Sequence, residues 1–368
     1  METYVSMCRR LSRQSRDGSI SRFLYADSQL ILYFPPVMSN IKTWKLVSQS
    51  LEQNIPAMLL YVLESKGSSP GRQGFFMAVN TKGDMEGSIG GGIMEHKFVE
   101  MAKDSLQSAP DSYRDGSWQS EHAIRKQIHD KSAAKDRSGM ICSGEQTILL
   151  YELKEKDIST VQHIIASLEK NKNGTLILSP GKMEFDDGTT GNDFEFTFQS
   201  EDDWLYKEKT GYKNQLFIIG GGHCALAFSK LMRSMDFYIR IYDERKDLKT
   251  MVENEAAHEK YFVNDYTALK EMISPGNHHY VVVMTFGYRT DDVAVRALLG
   301  KEFKYLGLLG SKNKVEKMFD DYKKEGINED WLQRIHTPVG LSIKSQTPEE
   351  IAVSIAAEII KVKNRDAK

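Results

Sequence analysis

Cysteine is scarce. Cys8, Cys142 and Cys224 are the only three in 368 residues, too few and too scattered for a disulfide framework or a zinc site. No metal-ligand set is expected, and a reducing cytoplasm is the simplest home. Long apolar runs are missing as well: nothing approaches the roughly 20 consecutive apolar residues of a membrane helix. Neither sign of charge dominates, with 49 Lys and Arg against 51 Asp and Glu and a formal net charge of −2. There is thus no electrostatic reason to expect nucleic acid or an acidic membrane surface as partner. No repeat of fixed period appears. What remains is a chain long enough for two or three domains, each with its own core.

Residues 1–37 begin basic and carry a short apolar patch, but Pro35 and Pro36 interrupt it and no small-residue cleavage site follows. As a signal peptide this is poor, and the segment is expected to be a disordered or non-native leader. From Met38 the pattern is conventional. Ile41, Trp44, Leu46, Val47 and Leu51 recur at helical spacing. A strand (AMLLYVLES), a loop (KGSSPGRQG) and a hairpin (FFMAVNTKGDMEGSI) with turn chemistry at Lys82-Gly83-Asp84 follow. Met94, Phe98, Met101 and Ala102 then mark one helix face, and MICSGEQTILLYEL reads as loop plus strand. Residues 38–153 are therefore expected to form an α+β domain, and 154–212 a connector with some structure.

Residues 213–368 alternate strand and helix. QLFIIG, FYIRIYD, KYFV, HYVVVMT and FKYLGLLGS read as buried strands, with helical segments such as HCALAFSKLMRSM, TALKEMI and DDVAVRALLG between them. This predicts a doubly wound parallel sheet. The last helix announces itself by Thr347 at the N-cap, Pro348 at the first helical position and Glu350 three residues after the cap. The fold class expected is α/β: an N-terminal α+β domain followed by a Rossmann-like doubly wound parallel sheet.

Two glycine runs carry the chemistry. Gly220-Gly221-Gly222-His223-Cys224-Ala225 fits G-x-G-x-x-A, follows a buried strand, opens a helix, and is trailed by Asp243 at the close of the next strand. Gly220 permits the tight turn, Gly222 lets backbone approach a pyrophosphate, and free amides at the helix start, His223 among them, favour an anion. Asp243 is placed to accept from a ribose hydroxyl. The alternative is a tight first turn with no ligand. Cys224 reads either as an acidified thiol or, more simply, as packing. Ser311, in Gly310-Ser311-Lys312, marks either a second anion site or a capped helix start.

The first run, GSIGGGIMEH at 87–96, fails the dinucleotide pattern. A hairpin arm precedes it, and Glu95 stands where close helix packing wants a small residue. It also fails as a nucleophile elbow, because Glu86 replaces the first glycine. Gly90, Gly91 and Gly92 leave bare amides at a helix start, suited to a bulky anion, or else form a packing turn. Ser68, Ser69 and Arg72 could share that site through hydroxyls and a planar cationic fork. Cys142, in a turn before a strand, is alone an ordinary small hydrophobe.

Together these residues resemble the xanthine dehydrogenase accessory factor family of the XdhC/CoxI type. The likeness runs from about Trp44 to the end: G-S-S-P, G-S-I-G-G-G-x-x-E, the cysteine–glycine turn, G-G-G-H-x-A with Asp243 and Arg245, G-L-L-G-S-K, and P-V-G-L with T-P-E-E-I-A-x-S-I-A-A-E. The resemblance implies a cytoplasmic chaperone, more accessory protein than enzyme, that binds molybdenum cofactor, a molybdopterin. It would hold the cofactor during sulfuration with a cysteine desulfurase and deliver it to a molybdenum hydroxylase, and a homodimer is expected. The cofactor site would draw on Ser68, Ser69, Gly90, Gly91, Gly92 and Glu95. Cys142 would contact molybdenum or handle sulfur, a thiolate being a soft ligand. Departures exist. Gly71 intervenes before Arg72, Ser143 takes the middle of a C-G-G turn, and Thr285-Phe286-Gly287-Tyr288 lacks the histidines common there, though Asp291 remains. The other functional class is an NAD(P)-dependent oxidoreductase using Gly220, Gly222 and Asp243. A third is a module that senses a nucleotide and regulates delivery.

Overall fold

The computed structural model describes residues 23–26, 29–33, 40–107, 122–128, 144–188 and 191–365. In chain order the strands are β1 (Phe23–Ala26), β2 (Gln29–Tyr33), β3 (Ala57–Gly67), β4 (Phe76–Asn80), β5 (Met85–Gly87), β6 (His122–Ile128), β7 (Gly144–Leu153), β8 (Gly174–Ser179), β9 (Lys182–Asp186), β10 (Phe194–Ser200), β11 (Asp203–Thr210), β12 (Asn214–Ile219), β13 (Phe237–Asp243), β14 (Glu259–Phe262), β15 (Gly276–Val283), β16 (Phe303–Leu308) and β17 (Ile335–His336). The helices are α1 (Ile41–Glu52), α2 (Gly92–Gln107), α3 (Ile158–Glu169), α4 (His223–Arg233), α5 (Lys249–Val252), α6 (Leu269–Met272), α7 (Tyr288–Ala297), α8 (Lys312–Lys324), α9 (Glu329–Leu332) and α10 (Pro348–Lys363). They fall into two compact units divided near Gly211, with the β1–β2 hairpin in the second.

The first unit is built on an antiparallel sheet of order β5-β4-β3-β7-β6. Strand β3 is apolar without alternation, and its first seven residues are all buried, so the sheet is covered on both faces. On one face α2 seats Met94, Phe98, Val99 and Ala102 against Met58, Leu60, Val62, Met77, Val79, Ile148 and Leu150. The i, i+4, i+8 spacing of Met94, Phe98 and Ala102 makes that stripe. On the other face Trp44 of α1 meets Phe76 at 5.1 Å, and Phe76 stacks on Tyr61 at 5.0 Å.

Residues 154–211 contribute α3 and a second antiparallel sheet of order β10-β11-β8-β9 to the same unit. Tyr61 of β3 meets Tyr206 of β11 edge-on at 5.5 Å. The two hydroxyls donate to one carboxylate, Glu208, at 2.5 and 2.8 Å. The β4–β5 turn forms as its residues require: Asn80 Oδ1 accepts from the amides of Lys82 and Asp84, both at 3.0 Å, and Gly83 takes φ +90°.

In the second unit six parallel strands run β14-β13-β12-β15-β16-β17, and the β1–β2 hairpin adds antiparallel to β14. Numbered within the unit this is the order 3-2-1-4-5-6, which reverses between β12 and β15. Successive β12 side chains point to opposite faces. Leu216 and Ile218 pack with Phe228 of α4 and Ile355 and Ile359 of α10. Phe217 and Ile219 pack with Val295 of α7 and Met318 of α8. The α10 start carries the expected capping box, with Glu350 N–H on Thr347 Oγ1 at 3.2 Å and Thr347 N–H on Glu350 Oε2 at 3.2 Å. The segment expected as the helix TALKEMI is shorter, a 3-10 turn at Tyr266–Ala268 followed by the four residues of α6. Among the described residues no helix is long and apolar enough to cross a membrane.

Candidate functional site

The first glycine run lies between β5 and α2. Gly87, Gly90, Gly91 and Gly92 all have positive φ, at +94°, +128°, +75° and +72°, a conformation that costs a side-chain-bearing residue about 1–2 kcal/mol. Glu95, on the first turn of α2, reaches back into the loop. Its Oε2 accepts from Ser88 Oγ at 2.6 Å, Ile89 N–H at 2.9 Å and Gly91 N–H at 3.0 Å. The residue too large for dinucleotide packing is thus the clamp that shapes this loop.

Loop 67–72 packs directly on it, backbone to backbone. A Cβ at Gly71 would sit 2.0 Å from the Ile89 carbonyl oxygen, and one at Gly90 would sit 2.4 Å from the Gly71 nitrogen. Buried Gln146 of β7 joins the two by donating to Gly71 O at 3.1 Å and Ile89 O at 3.2 Å. Gly144, at the start of β7, presses on the 68–69 backbone, with a Cβ there 2.7 Å from Ser69 N. Three segments distant in sequence therefore converge. Cys142, two residues before Gly144, lies outside the described residues, as does Cys8.

Within this cluster the named side chains divide. Ser69 is buried and its hydroxyl donates to Gly71 O at 3.0 Å, shaping its own loop. Arg72 is exposed and donates to Gly67 O at 3.0 Å. Ser68 is exposed. A Cβ at Gly91 or Gly92 would meet nothing within 4 Å, so the helix start faces open space with its first amides free of intrahelical acceptors. Beside it Ile93 is 75% exposed. Ser88 and Gln146 were not singled out from sequence. The signal for Gln146 was an amide standing at an inward position of an otherwise apolar strand.

The second run follows β12. Gly220 has φ +106°, and a Cβ there would lie 2.4 Å from Met284 O. Gly222 is the N-cap of α4 and has open space around it, and His223 is exposed. Asp243, wholly buried, accepts from Gly221 N–H at 2.7 Å, Arg245 N–H at 2.8 Å, and Arg245 Nε and Nη2 at 2.9 and 2.7 Å. Burial pushes this carboxyl up, but the donors from Arg245 and Gly221 outweigh it and hold it below the ordinary range. Both oxygens expected to face a ribose are engaged within the protein. The Arg245 guanidinium lies 4.9 Å from the ring of Phe286, which is 63% exposed. These residues follow β13 and β15, the neighbours of β12, so their contact spans the switch-point crevice.

Other candidates here are structural. Burial raises the Cys224 thiol, and the charge of Glu349 adds to the effect, which disfavours the acidified-thiol reading. Ser311 caps α8, accepting from Lys314 N–H at 3.4 Å. Asp291 is buried and staples Thr285 N–H (3.1 Å), Thr285 Oγ1 (2.5 Å) and Lys314 Nζ. Removing the Asp243 carboxylate would leave the Gly221 amide without its acceptor. Asp243→Ala is expected to cost about 1–3 kcal/mol, read as a lower urea midpoint with unchanged m-value.

Against known proteins, the XdhC and CoxI family profile matches residues 50–113, across both loops of the first site. The XdhC Rossmann domain profile matches 216–359. The uncharacterized protein YqeB of Escherichia coli is 23% identical over 315 residues, 85% of this chain and 44% of that one. A probable xanthine dehydrogenase subunit from Bacillus subtilis is 36% identical over 90 residues, 24% of this chain and 25% of that one. The chain thus spans less than half the length of these curated relatives. A crystal structure from Bacillus halodurans, described as a xanthine dehydrogenase, superposes with a TM-score of 0.64 at 21% identity, covering 90% of this chain and 97% of that one. At that identity the likeness is one of fold. The two profiles fall in order on the two units, each across its own glycine loop, and the chain belongs to the XdhC and CoxI family.

Proposed function

We propose that this chain is an accessory protein that binds molybdenum cofactor, protects it during sulfuration and passes it to a xanthine dehydrogenase-type molybdenum hydroxylase. The observation that carries the reading is the convergence of loop 67–72, loop 87–92 and the start of β7 around an open helix N-terminus. The residues fit such a group. Gly91 and Gly92 keep the helix start clear, a Cβ at either standing in open space. The Gly92 amide faces outward while that of Gly91 is held by Glu95, and Ser68 and Arg72 are exposed beside them, suited to an anionic pterin phosphate. When bound, the cofactor supplies a molybdenum–dithiolene centre whose terminal sulfido ligand the client enzyme requires.

The chain's own part is to hold and shield. The Gly92 and Ile93 amides take the anionic end, Ser68 and Arg72 orient it, and Glu95 keeps the loop in its cradle shape. Cys142 serves as a soft thiolate toward molybdenum or sulfur. A cysteine desulfurase and the hydroxylase are the partners, the cytoplasm is the place, and the chain acts as a homodimer.

The test is retention. Purified protein is mixed with molybdenum cofactor and passed through a desalting column, with Gly92→Val and Cys142→Ala alongside. Wild type should retain cofactor and Gly92→Val should lose about tenfold or more in affinity, since a branched side chain covers the amides. Retention no better than a control protein overturns the reading.

A nicotinamide-dependent oxidoreductase is the second reading, favoured by the 3-2-1-4-5-6 strand order. Against it stand the engaged Asp243 carboxylate and the Arg245–Phe286 contact across the crevice. Titration with NAD and NADP separates the two, tight binding with substrate-dependent hydride transfer reversing their order.

A further inference from the structure

In the sheet β10-β11-β8-β9, strand β10 has a ladder on one side only among the described residues. Its phase is set by Lys209 N–H donating to the directly opposite Asp193 O at 3.0 Å, in the register that puts Glu195 against Lys207 and Thr197 against Leu205. Hydrogen-bonded pairs alternate in an antiparallel ladder. Glu195 and Thr197 therefore bond to β11, while the N–H and C=O of Phe196 and Phe198 point the other way.

Open edges are normally guarded by lysine, proline or inward charge. The segment FEFTFQS has no lysine or proline and one charge, Glu195. Its one irregularity, between Phe198 and Ser200, comes at the strand's end. Thr197, Phe198 and Gln199 are exposed, Phe198 at 49%. On one face an aromatic row runs outward from the core: Tyr206 to Phe196 at 6.3 Å, then Phe196 to Phe198 at 6.4 Å.

We propose that β10 is the surface through which two copies of this chain pair, antiparallel about a two-fold axis at Thr197. The proposal rests on the homodimer reading above and gives it a location. A C2 interface must be self-complementary, and this register is. Phe196 lies opposite Phe198 of the second copy, the two residues whose backbone groups point outward. Thr197 lies opposite itself, a favourable cross-strand pair. Glu195 lies opposite Gln199, a carboxylate against an amide, so within Phe194–Ser200 no like charges face each other, and the first like pair, Asp193 against Glu201, falls outside the strand. The half-exposed Phe198 rings are covered, and two four-stranded sheets become one.

Sedimentation velocity on the full chain tests this. Wild type should be dimeric at micromolar concentration. Thr197→Lys, which sets two lysines against each other at the axis, should weaken the dimer roughly tenfold. Mixing Thr197→Lys with Thr197→Glu should restore it. Phe198→Pro removes an outward N–H while sparing the β10–β11 ladder and should also weaken the dimer, with an unchanged thermal transition showing that the unit still folds. A monomeric wild type overturns both this surface and the homodimer reading. Dimers of Thr197→Lys and Phe198→Pro as tight as wild type leave the dimer standing and overturn the surface.

Discussion

Replacing Gly71 with alanine is expected to pull the two converging loops of the first unit apart and lower its stability by more than about 3 kcal/mol, among the largest single-residue effects a fold of this kind shows. The added Cβ would lie 2.0 Å from Ile89 O and 2.7 Å from Ile89 C, both backbone atoms. No rotamer change relieves that contact, so one loop must move. Moving it breaks the shared donation of Gln146 to Gly71 O and Ile89 O. Gly90→Ala meets the same wall from the other side, 2.4 Å from Gly71 N, and adds the strain of φ +128°. Gly92→Ala is the internal control, because its φ is +72° but its Cβ would meet nothing within 4 Å. It should cost only about 1 kcal/mol of backbone strain. Thermal melts of the three variants, with cofactor retention measured beside them, give the ranking. If Gly71→Ala melts with Gly92→Ala, the backbone-on-backbone contact is not what holds the site.

This contact also explains a departure visible in the sequence. Gly71 intervenes between G-S-S-P and Arg72, and the structure puts it where a side chain cannot go. Much of the second unit was legible in the same manner. The four central strands, β13, β12, β15 and β16, each carry a short apolar run, and the Gly220 turn sits between one such run and a helix. The antiparallel sheet of residues 174–210 was harder to read, for a physical reason. In DWLYKEKT the inward positions are Trp204, Tyr206, Glu208 and Thr210, and a buried carboxylate in an apolar slot breaks the alternation. The two tyrosines that meet in space, one of them from β3, both donate to Glu208 and help make it at home there. From sequence Glu95 reads as a residue too large for dinucleotide packing and, by resemblance, a cofactor contact, and Asp243 as an acceptor for a ribose hydroxyl. Whether those oxygens serve a ligand or the loop itself is the same chemistry in sequence, and three-dimensional reach decides it. Both oxygens of Asp243 and one of Glu95 are turned onto their own loops.

The second large effect concerns pH. Stability of the second unit is expected to fall between pH 6.5 and 4.5 by about 2 kcal/mol through His258 alone. The ring is wholly buried, stacked on Tyr238 at 4.5 Å and met edge-on by Tyr212 at 4.7 Å. Its Nδ1 accepts from Ile239 N–H at 2.9 Å, and Nε2 faces the Tyr212 hydroxyl at 2.7 Å. A proton on Nδ1 would point at another proton. Burial first, then the charges of Arg233 and Arg240, hold the imidazole down to about 2, against roughly 6.5 in an unfolded chain. The sign follows. Well above 6.5 neither state binds the proton and stability is full. Below it the unfolded chain takes up one proton that the folded chain refuses, so stability drops by about 1.4 kcal/mol per pH unit until the folded value is reached. The lowered carboxyl of Asp243 acts in the same direction, but only nearer pH 4, where an unfolded aspartate protonates. The windows are therefore separable. In urea titrations from pH 7.5 to 4.5, His258→Asn, whose side-chain oxygen can take the place of Nδ1, should lose most of the slope between 6.5 and 4.5 while Asp243→Asn keeps it. An unchanged slope in His258→Asn would mean that this ring is not the group protonated on unfolding.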